Sequence, residues 1–415
     1  MARKNFKIIL RYCCIVLTLY TLIYFIYPTE TPVILLKHII KRVNKRVKDS
    51  RNETIKTSTV MTAKPLRVIR ILYWTGLFFN SWPEPLGYHS CGLSSVQCHF
   101  TSDRNYYSSA DAVLFHGNDI NILQDTDSLP NNTVKPPFQR WIYYTLESPL
   151  SLKLDQKPLL KEFFNNTFDW IMNYMKEVDL PSPYGYVTRG RYHNGFSPNI
   201  RYAANRPRMI AIVASVCYPH RMHIIRALQN YTNVDVFGRC GQKCPRNKHC
   251  WQHIQSNYKF YLSLENSVCN GYLTEKTYHN AFENNLIPII ISGANYSDWH
   301  VLPPQSFIDA LKFANVRELA NYIEKVASND KLYNSYFQWR ENYNIHLRSL
   351  KNSLCNVCKK IARIGNKGLQ SSPYRDLSYT LGPHEDNCKE YPDPYLLNNR
   401  KIKFQFHRNK PETPS

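Results

Sequence analysis

The chain has 415 residues, with 53 Lys and Arg against 31 Asp and Glu, long enough for two domains of ordinary size. A formal charge of +22 invites a nucleic-acid partner. Much of that excess, however, sits in Arg3, Lys4, Lys7 and Arg11 and in Lys37, Lys41, Arg42, Lys45, Arg46, Lys48 and Arg51, on either side of an apolar run. No zinc-finger, aromatic-platform or homeodomain pattern accompanies it, so a solvated basic tether accounts for the charge and no nucleic-acid partner is expected.

Residues 1–11 read as a short cytosolic tail. Residues 12–28 (YCCIVLTLYTLIYFIYP) carry no charge and stand near the lower limit of ~17–25 residues for a spanning helix. Arg11 can snorkel to the interface, and no small-residue cleavage site follows, so the run reads as an uncleaved signal-anchor rather than a cleaved secretory signal. Basic residues on both sides leave orientation open by charge alone. The sequons at Asn52, Asn131, Asn165, Asn230 and Asn295, and ten of twelve cysteines lying beyond the anchor, place the bulk of the chain in an oxidising lumen. Residues 29–65 form a polar, basic stem.

A first domain is expected over 66–188, with strands at 66–74, 110–116 and 140–145 and Pro136, Pro137 and Pro149 as loop punctuation. Residues 189–207 read as a linker. The second domain, 208–361, opens with a strand at 208–215, a helix at 221–230 and a strand at 234–238. Residues 260–264 form a β-prone run, a helix begins near Thr274 with Tyr278, Ala281 and Phe282 inward, and 286–291 is an apolar strand. Helical patterns follow at 316–326 and 334–348. This alternation predicts α/β architecture with parallel sheets covered on both faces. Residues 362–415 read as a basic, loosely ordered tail that Cys388 ties down.

The chemistry gathers at strand ends. Glu265, Asn266 and Ser267 close the 260–264 strand, and Glu275 and Lys276 fall in the first helical turn after it. Ligands of open α/β sheets bind at such ends and helix starts attract anions, so Lys276 is placed to meet a phosphate. Glu275 or Glu265 is placed to accept from sugar hydroxyls. Arg221 opens a helix after a strand ending in Ala214 and Ser215, where a guanidinium can fork onto diphosphate oxygens. Glu147 ends an apolar strand, where desolvation raises a carboxyl towards useful basicity; the alternative is a solvated strand-end acid. Asp125 and Asp127 form an Asp-x-Asp that is either a metal ligand pair or a solvated turn. Cys240, Cys244 and Cys250, with His249 and His253, suit either a zinc site or disulfides, and Cys355 and Cys358 either a redox pair or a zinc half-site.

The run from 258 to 291, with its Leu264-Glu-Asn-Ser strand end and Tyr272-Leu-Thr-Glu-Lys276, resembles the signature of the α1,3-fucosyltransferases. Glu147-Ser-Pro, the segment 168–179 and the stretches 98–104 and 110–116 resemble the same family, so the likeness covers about 66 to 360. It implies a GT-B fold: two facing Rossmann-like domains after a single transmembrane helix and stem, anchored as a type II protein of the Golgi membrane. It also implies inverting transfer of L-fucose from GDP-β-L-fucose, in α1,3 linkage, to N-acetylglucosamine of a glycoprotein or oligosaccharide acceptor.

On that resemblance Glu147 is the base, while Arg221, Lys276 and the helix start at Thr274 hold the departing diphosphate. Tyr272, Glu275 and Asn266 orient fucose and ribose, and Ser215 and Tyr174 also face the donor. Val216 stands where asparagine is usual, and Met175 and Lys176 where two arginines are. No metal cofactor is required, a divalent cation being at most stimulatory. The resemblance implies that the family's Cys-x-x-Cys bonds back to the first domain, with Cys91 and Cys98 as candidate partners of Cys355 and Cys358 and the connectivity open. Glu147-Ser-Pro looks like the antennal, Lewis-type members, whereas 115–119 lacks their two histidines and arginine, so both core and antennal acceptors stay open. The rivals are a fucosyltransferase of another linkage and a catalytically inactive lumenal glycan-binding protein.

Overall fold

The computed structural model of the chain describes residues 66–120, 129–130, 134–152, 166–191, 197, 200–244, 249–365, 377–382, 384 and 386–397. The expected anchor and stem, the sequons at Asn52, Asn131 and Asn165, and Asp125 and Asp127 lie outside the described residues. Among the described residues no helix is long and apolar enough to cross a membrane.

The first sheet is built from β1 (Arg67–Tyr73), β2 (Gly87–His89), β3 (Val96–Thr101), β4 (Ala112–His116), β5 (Arg140–Tyr144), β6 (Trp170–Asn173) and β7 (Leu180–Pro181), in the order β2-β3-β1-β4-β5-β6-β7. All its pairings are parallel except β2 with β3. Both faces are covered, and successive β5 residues show it: Ile142 and Tyr144 pack with Ile69, Ile71 and Met172, whereas Trp141 and Tyr143 pack with Leu72, Val113 and Phe115 on the other side. Loops at the carboxyl ends of these strands carry Thr145 to Ser148.

After β8 (Gly185–Arg189) comes the second sheet, from β9 (Arg208–Val213), β10 (Val234–Phe237), β11 (Tyr258–Leu264), β13 (Ile287–Ile291) and β14 (Ile308–Asp309), with β12 (Val268–Cys269) lying apart. It runs β10-β9-β11-β13-β14, wholly parallel, with Phe260 opposite both Ile210 and Ile287. Every β13 residue is buried, as expected for an apolar strand between two helical layers. The helix Pro219–Gln229 starts on a proline and turns Ile224, Ile225 and Leu228 inward. The helix Val316–Ala327 is capped by Asn315 accepting from Glu318 N at 3.1 Å, and it buries Leu319, Ile323 and Val326 against the same core.

Three expectations are corrected. The helical pattern at 334–348 gives way to a short helix, Asp330–Ser335, and to β15 (Tyr343–Leu347), antiparallel to β8. Tyr343, Ile345 and Leu347 alternate with Asn344 and His346, a period of two that suits a ribbon. Gly185 in β8 lies flat on the Tyr278 ring, where an added Cβ would stand 2.5 Å from it.

Residues 208–361 are not one unit either. The helix Leu350–Ile364 turns Leu354, Val357, Cys358 and Ile361 onto the first sheet, where Cys91–Cys355 and Cys98–Cys358 fix it. The tail is ordered where it is described. Leu377 and Leu381 pack on the first sheet, β16 (Cys388–Lys389) pairs with β12, and Leu397 enters the second core. Cys388 does tie it down, through Cys269. Of the remaining candidate zinc ligands, Cys240 is bonded to Cys217 and Cys244 to Cys250, and among the described residues no group of three or more His, Cys, Asp or Glu is placed to hold a metal ion.

The two bridges to the Leu350–Ile364 helix close nearly the same loop, 264 and 260 residues long. Removing Cys91–Cys355 alone leaves that loop closed by its neighbour, so denaturant unfolding should register a small loss. Removing both should lower stability by about 5 kcal/mol, the loop-closure value for chains of this length.

Candidate active site

At the end of β5 the chain turns on Thr145, whose Oγ1 accepts from Glu147 N at 3.2 Å, while Tyr184 Oη donates to Leu146 O at 2.8 Å. Glu147 is thereby held half-buried, and its carboxylate forms no hydrogen bond with any described residue. Burial pushes this carboxyl above its usual range, Lys276 pulls it back, and Glu275 pushes it up again. The end of β11 lies directly across. The hydroxyls of Ser148 and Ser267 are 2.5 Å apart, and Asn266 Nδ2 donates to Ser151 Oγ at 3.3 Å. The Glu-Ser-Pro and Glu-Asn-Ser strand ends, more than a hundred residues apart in sequence, therefore meet.

Glu265, fully buried, does not face outward to a sugar as expected. Its Oε1 accepts from Thr274 N at 2.8 Å, and its Oε2 accepts from Lys276 Nζ at 3.0 Å and Thr274 Oγ1 at 2.8 Å. Lys276 Nζ also donates to Thr274 Oγ1 at 2.9 Å and to the more exposed Glu275 at 3.2 Å. Burial alone would lower the Lys276 pKa, but Glu265 and Glu275 outweigh it and hold the ammonium charged. The helix begins where expected but winds as a seven-residue π-helix, Lys276–Phe282, with Glu283 N donating to Tyr278 O and Leu286 N to Ala281 O. Such wide turns recur at functional sites. Tyr278, Ala281 and Phe282 all point inward, as predicted.

An aromatic wall completes this side. Tyr174 and Tyr272 meet edge to face at 5.0 Å, with Tyr184 at 6.3 Å from Tyr272. The Tyr174 hydroxyl is buried without a partner among the described residues, and its phenol is pushed up by burial and then by Glu147 and Glu265. Arg221 is buried at 4% exposure. Its Nη2 donates to Val216 O, its guanidinium lies 5.5 Å from the Tyr218 ring, and its Nε has no partner among the described residues. The adjacent His220 places Nε2 3.0 Å from Asn266 O, which joins this helix start to the β11 end.

Glu147, Tyr174, Glu265, Asn266, Tyr272, Glu275 and Lys276 are thus one cluster, with Arg221 beside it. Ser215 is exposed on the loop leading to Arg221, and Lys176 is an exposed residue paired with Asp298 at 3.6 Å. Asn230 and Asn295 are exposed. Sequence reasoning missed Tyr184, Ser148 and Ser151; an aromatic amid Pro181-Ser-Pro-Tyr-Gly was the available signal for the first. A cavity of about 480 Å³ beside β14, lined by Phe307, Asp309, Phe313 and Tyr336, includes none of the cluster.

The electrostatics give a pH prediction. A base must be deprotonated, so activity should fall as pH drops through the raised Glu147 pKa. Glu275 raises that pKa, so Glu275→Gln should move the acid limb of the kcat profile to lower pH. A limb that stays in place or moves upward would contradict this coupling.

Known proteins resemble this chain over most of its described length. The sequence model described as glycosyltransferase family 10 (fucosyltransferase) C-term matches residues 203–378, and that described as fucosyltransferase, N-terminal matches 67–185. The 4-galactosyl-N-acetylglucosaminide 3-alpha-L-fucosyltransferase 9 of Rattus norvegicus is 32% identical over 300 residues, 71% of this chain and 77% of that protein. The 3-galactosyl-N-acetylglucosaminide 4-alpha-L-fucosyltransferase FUT3 of Pongo pygmaeus is 31% identical over 307 residues, 72% and 78% of the two. A crystal structure of an alpha1,3-fucosyltransferase with GDP-fucose aligns with a TM-score of 0.45 at 16% identity, covering 76% of this chain and 96% of that one. With both halves of its folded region matched, the chain belongs to glycosyltransferase family 10, the fucosyltransferases.

Proposed function

We propose that this enzyme moves L-fucose from GDP-β-L-fucose to O3 of an N-acetylglucosamine in a glycoprotein or oligosaccharide glycan, with inversion at the anomeric carbon. The observation that carries this is the position of Glu147. It is a carboxylate from the first sheet without a hydrogen bond among the described residues, facing the Lys276–Glu265–Thr274 assembly of the second. In the reaction Glu147 takes the acceptor hydroxyl proton as that oxygen attacks C1. The bond from C1 to the β-phosphate oxygen breaks, and its electron pair leaves with GDP. Lys276 and Arg221 face the charge that develops there. Lys276 exchanges its exposed Glu275 contact for phosphate while Glu265 keeps it in place. Asn266, Tyr272 and Glu275 orient the sugars, Tyr174 offers its unmatched hydroxyl, and Ser215 lines the rim.

Two facing Rossmann-like lobes of GT-B type describe this arrangement, the first being 66–188 with the Leu350–Ile364 helix and the second running from 208 to β15 and taking in Leu397 of the tail. Five disulfides among the described residues support an oxidising compartment, and with the apolar run at 12–28 they suit a type II Golgi membrane enzyme. The cations of the chain supply the leaving-group charge, so turnover should persist in chelator.

The test is incubation with GDP-fucose, in EDTA, and a panel of core and antennal N-glycan acceptors, followed by linkage analysis of the products. Fucose on O3 of N-acetylglucosamine is expected. Transfer to galactose O2 or core O6 only, or none to any acceptor, would overturn the reading.

A further inference from the structure

The carboxy-terminal segment crosses the same strand end. On one side β16 pairs with β12 through Cys269–Cys388, and Asn270 N donates to Asn387 O at 2.7 Å. On the other, Val316 N donates to Pro394 O and Leu397 N to Ala314 O, both at 2.9 Å, with Leu397 buried in the second core. Residues 390–393 are therefore a strap clamped at both ends, and Tyr391 stands within it. Its ring lies 4.4 Å from His220, the residue that touches Asn266 O. Its hydroxyl is buried with no hydrogen-bond partner among the described residues, and so is Nε of the neighbouring, deeply buried Arg221. Burial pushes the phenol up, while the charge of Arg221 opposes this and that of Glu265 adds to it.

Buried polar atoms are almost always matched. Two donors unmatched among the described residues, one on Tyr391 against the His220 ring and the other on Arg221 next in the chain, describe a place for an oxygen-rich anion. The two family matches end at residue 378, so this strap lies beyond what they cover.

Resting on the fucosyltransferase reading, we propose that the strap is one wall of the nucleotide site and that Tyr391 Oη donates a hydrogen bond to a GDP diphosphate oxygen beside Arg221. The disulfide fixes the strap to the loop after Glu265, so Tyr391 and Lys276 approach the diphosphate from one preset frame.

The test uses the full chain in detergent, with GDP affinity by calorimetry, GDP-fucose and acceptor KM, and melting temperature, for wild type and Tyr391→Phe. The variant keeps the ring on His220 and removes only the hydroxyl. GDP affinity and GDP-fucose KM should worsen roughly 5- to 20-fold, with acceptor KM within about twofold and the melting temperature undiminished. GDP affinity within about twofold of wild type would overturn the proposal, as would equal worsening of donor and acceptor KM. Wild-type protein that binds no GDP would remove the donor reading as well; normal wild-type binding with an indifferent Tyr391→Phe would remove this proposal alone.

Discussion

Glu147→Gln should lower fucosyl transfer by about 10²- to 10⁴-fold, the range a positioned general base contributes, while GDP affinity stays within about twofold of wild type. The substitution keeps the shape of the side chain, and the carboxylate it replaces makes no hydrogen bond to a described residue, so the fold has little to lose. What disappears is the proton acceptor. On the proposed mechanism the nucleotide's diphosphate is held from the opposite lobe and does not depend on it. A variant with near-normal kcat would show that another group takes the proton. One that lost GDP binding in parallel would show Glu147 to be part of the nucleotide wall instead.

Lys276→Ala should be the most damaging substitution to both stability and donor binding. It leaves the fully buried Glu265 carboxylate without its cation, and breaking such a pair costs about 3–5 kcal/mol. The loss has a signature in pH. Burial raises the Glu265 pKa and Lys276 opposes that rise, so removing the lysine lifts it further. A carboxyl whose folded pKa is raised binds its proton more tightly in the folded state. The stability defect should therefore be fully present above that pKa and fade as pH falls through it. Urea unfolding of wild type and variant across the pH range reads this directly. A defect that stayed constant or grew on acidification would contradict the buried-pair account. GDP affinity should fall about 10- to 100-fold with the loss of a charged hydrogen bond.

Much of this site is legible in the chain because it lies at the ends of strongly patterned strands. The β11–β13 run announces itself through continuous apolar residues broken by Glu-Asn-Ser, and Glu147 through its place after Trp141–Tyr144. Partners are what the chain conceals. Nothing local says that Glu265 turns inward to Thr274 and Lys276, since that depends on the loop closing back over nine residues. The helix start at 274 is readable, but its π winding is not, nor are the bonds Tyr278 Oη makes to Val301 O and Ser263 Oγ to Lys276 O. The helix Leu350–Ile364 looks like a continuation of the second lobe until its cysteines find Cys91 and Cys98. Strand β3 hides behind Gln97 and His99, and β6 is only four residues long. The tail, basic and proline-spotted, shows no periodicity because its order comes from a disulfide and a few backbone bonds.

The most direct measurement is the anomeric configuration of the product, read by NMR during transfer from GDP-β-L-fucose to the N-glycan acceptor that the panel identifies, by wild-type enzyme and Glu147→Gln. One base and one displacement predict an α-fucoside from the first and almost none from the second. A β-fucoside, or an α-fucoside formed equally well by both, would contradict the account.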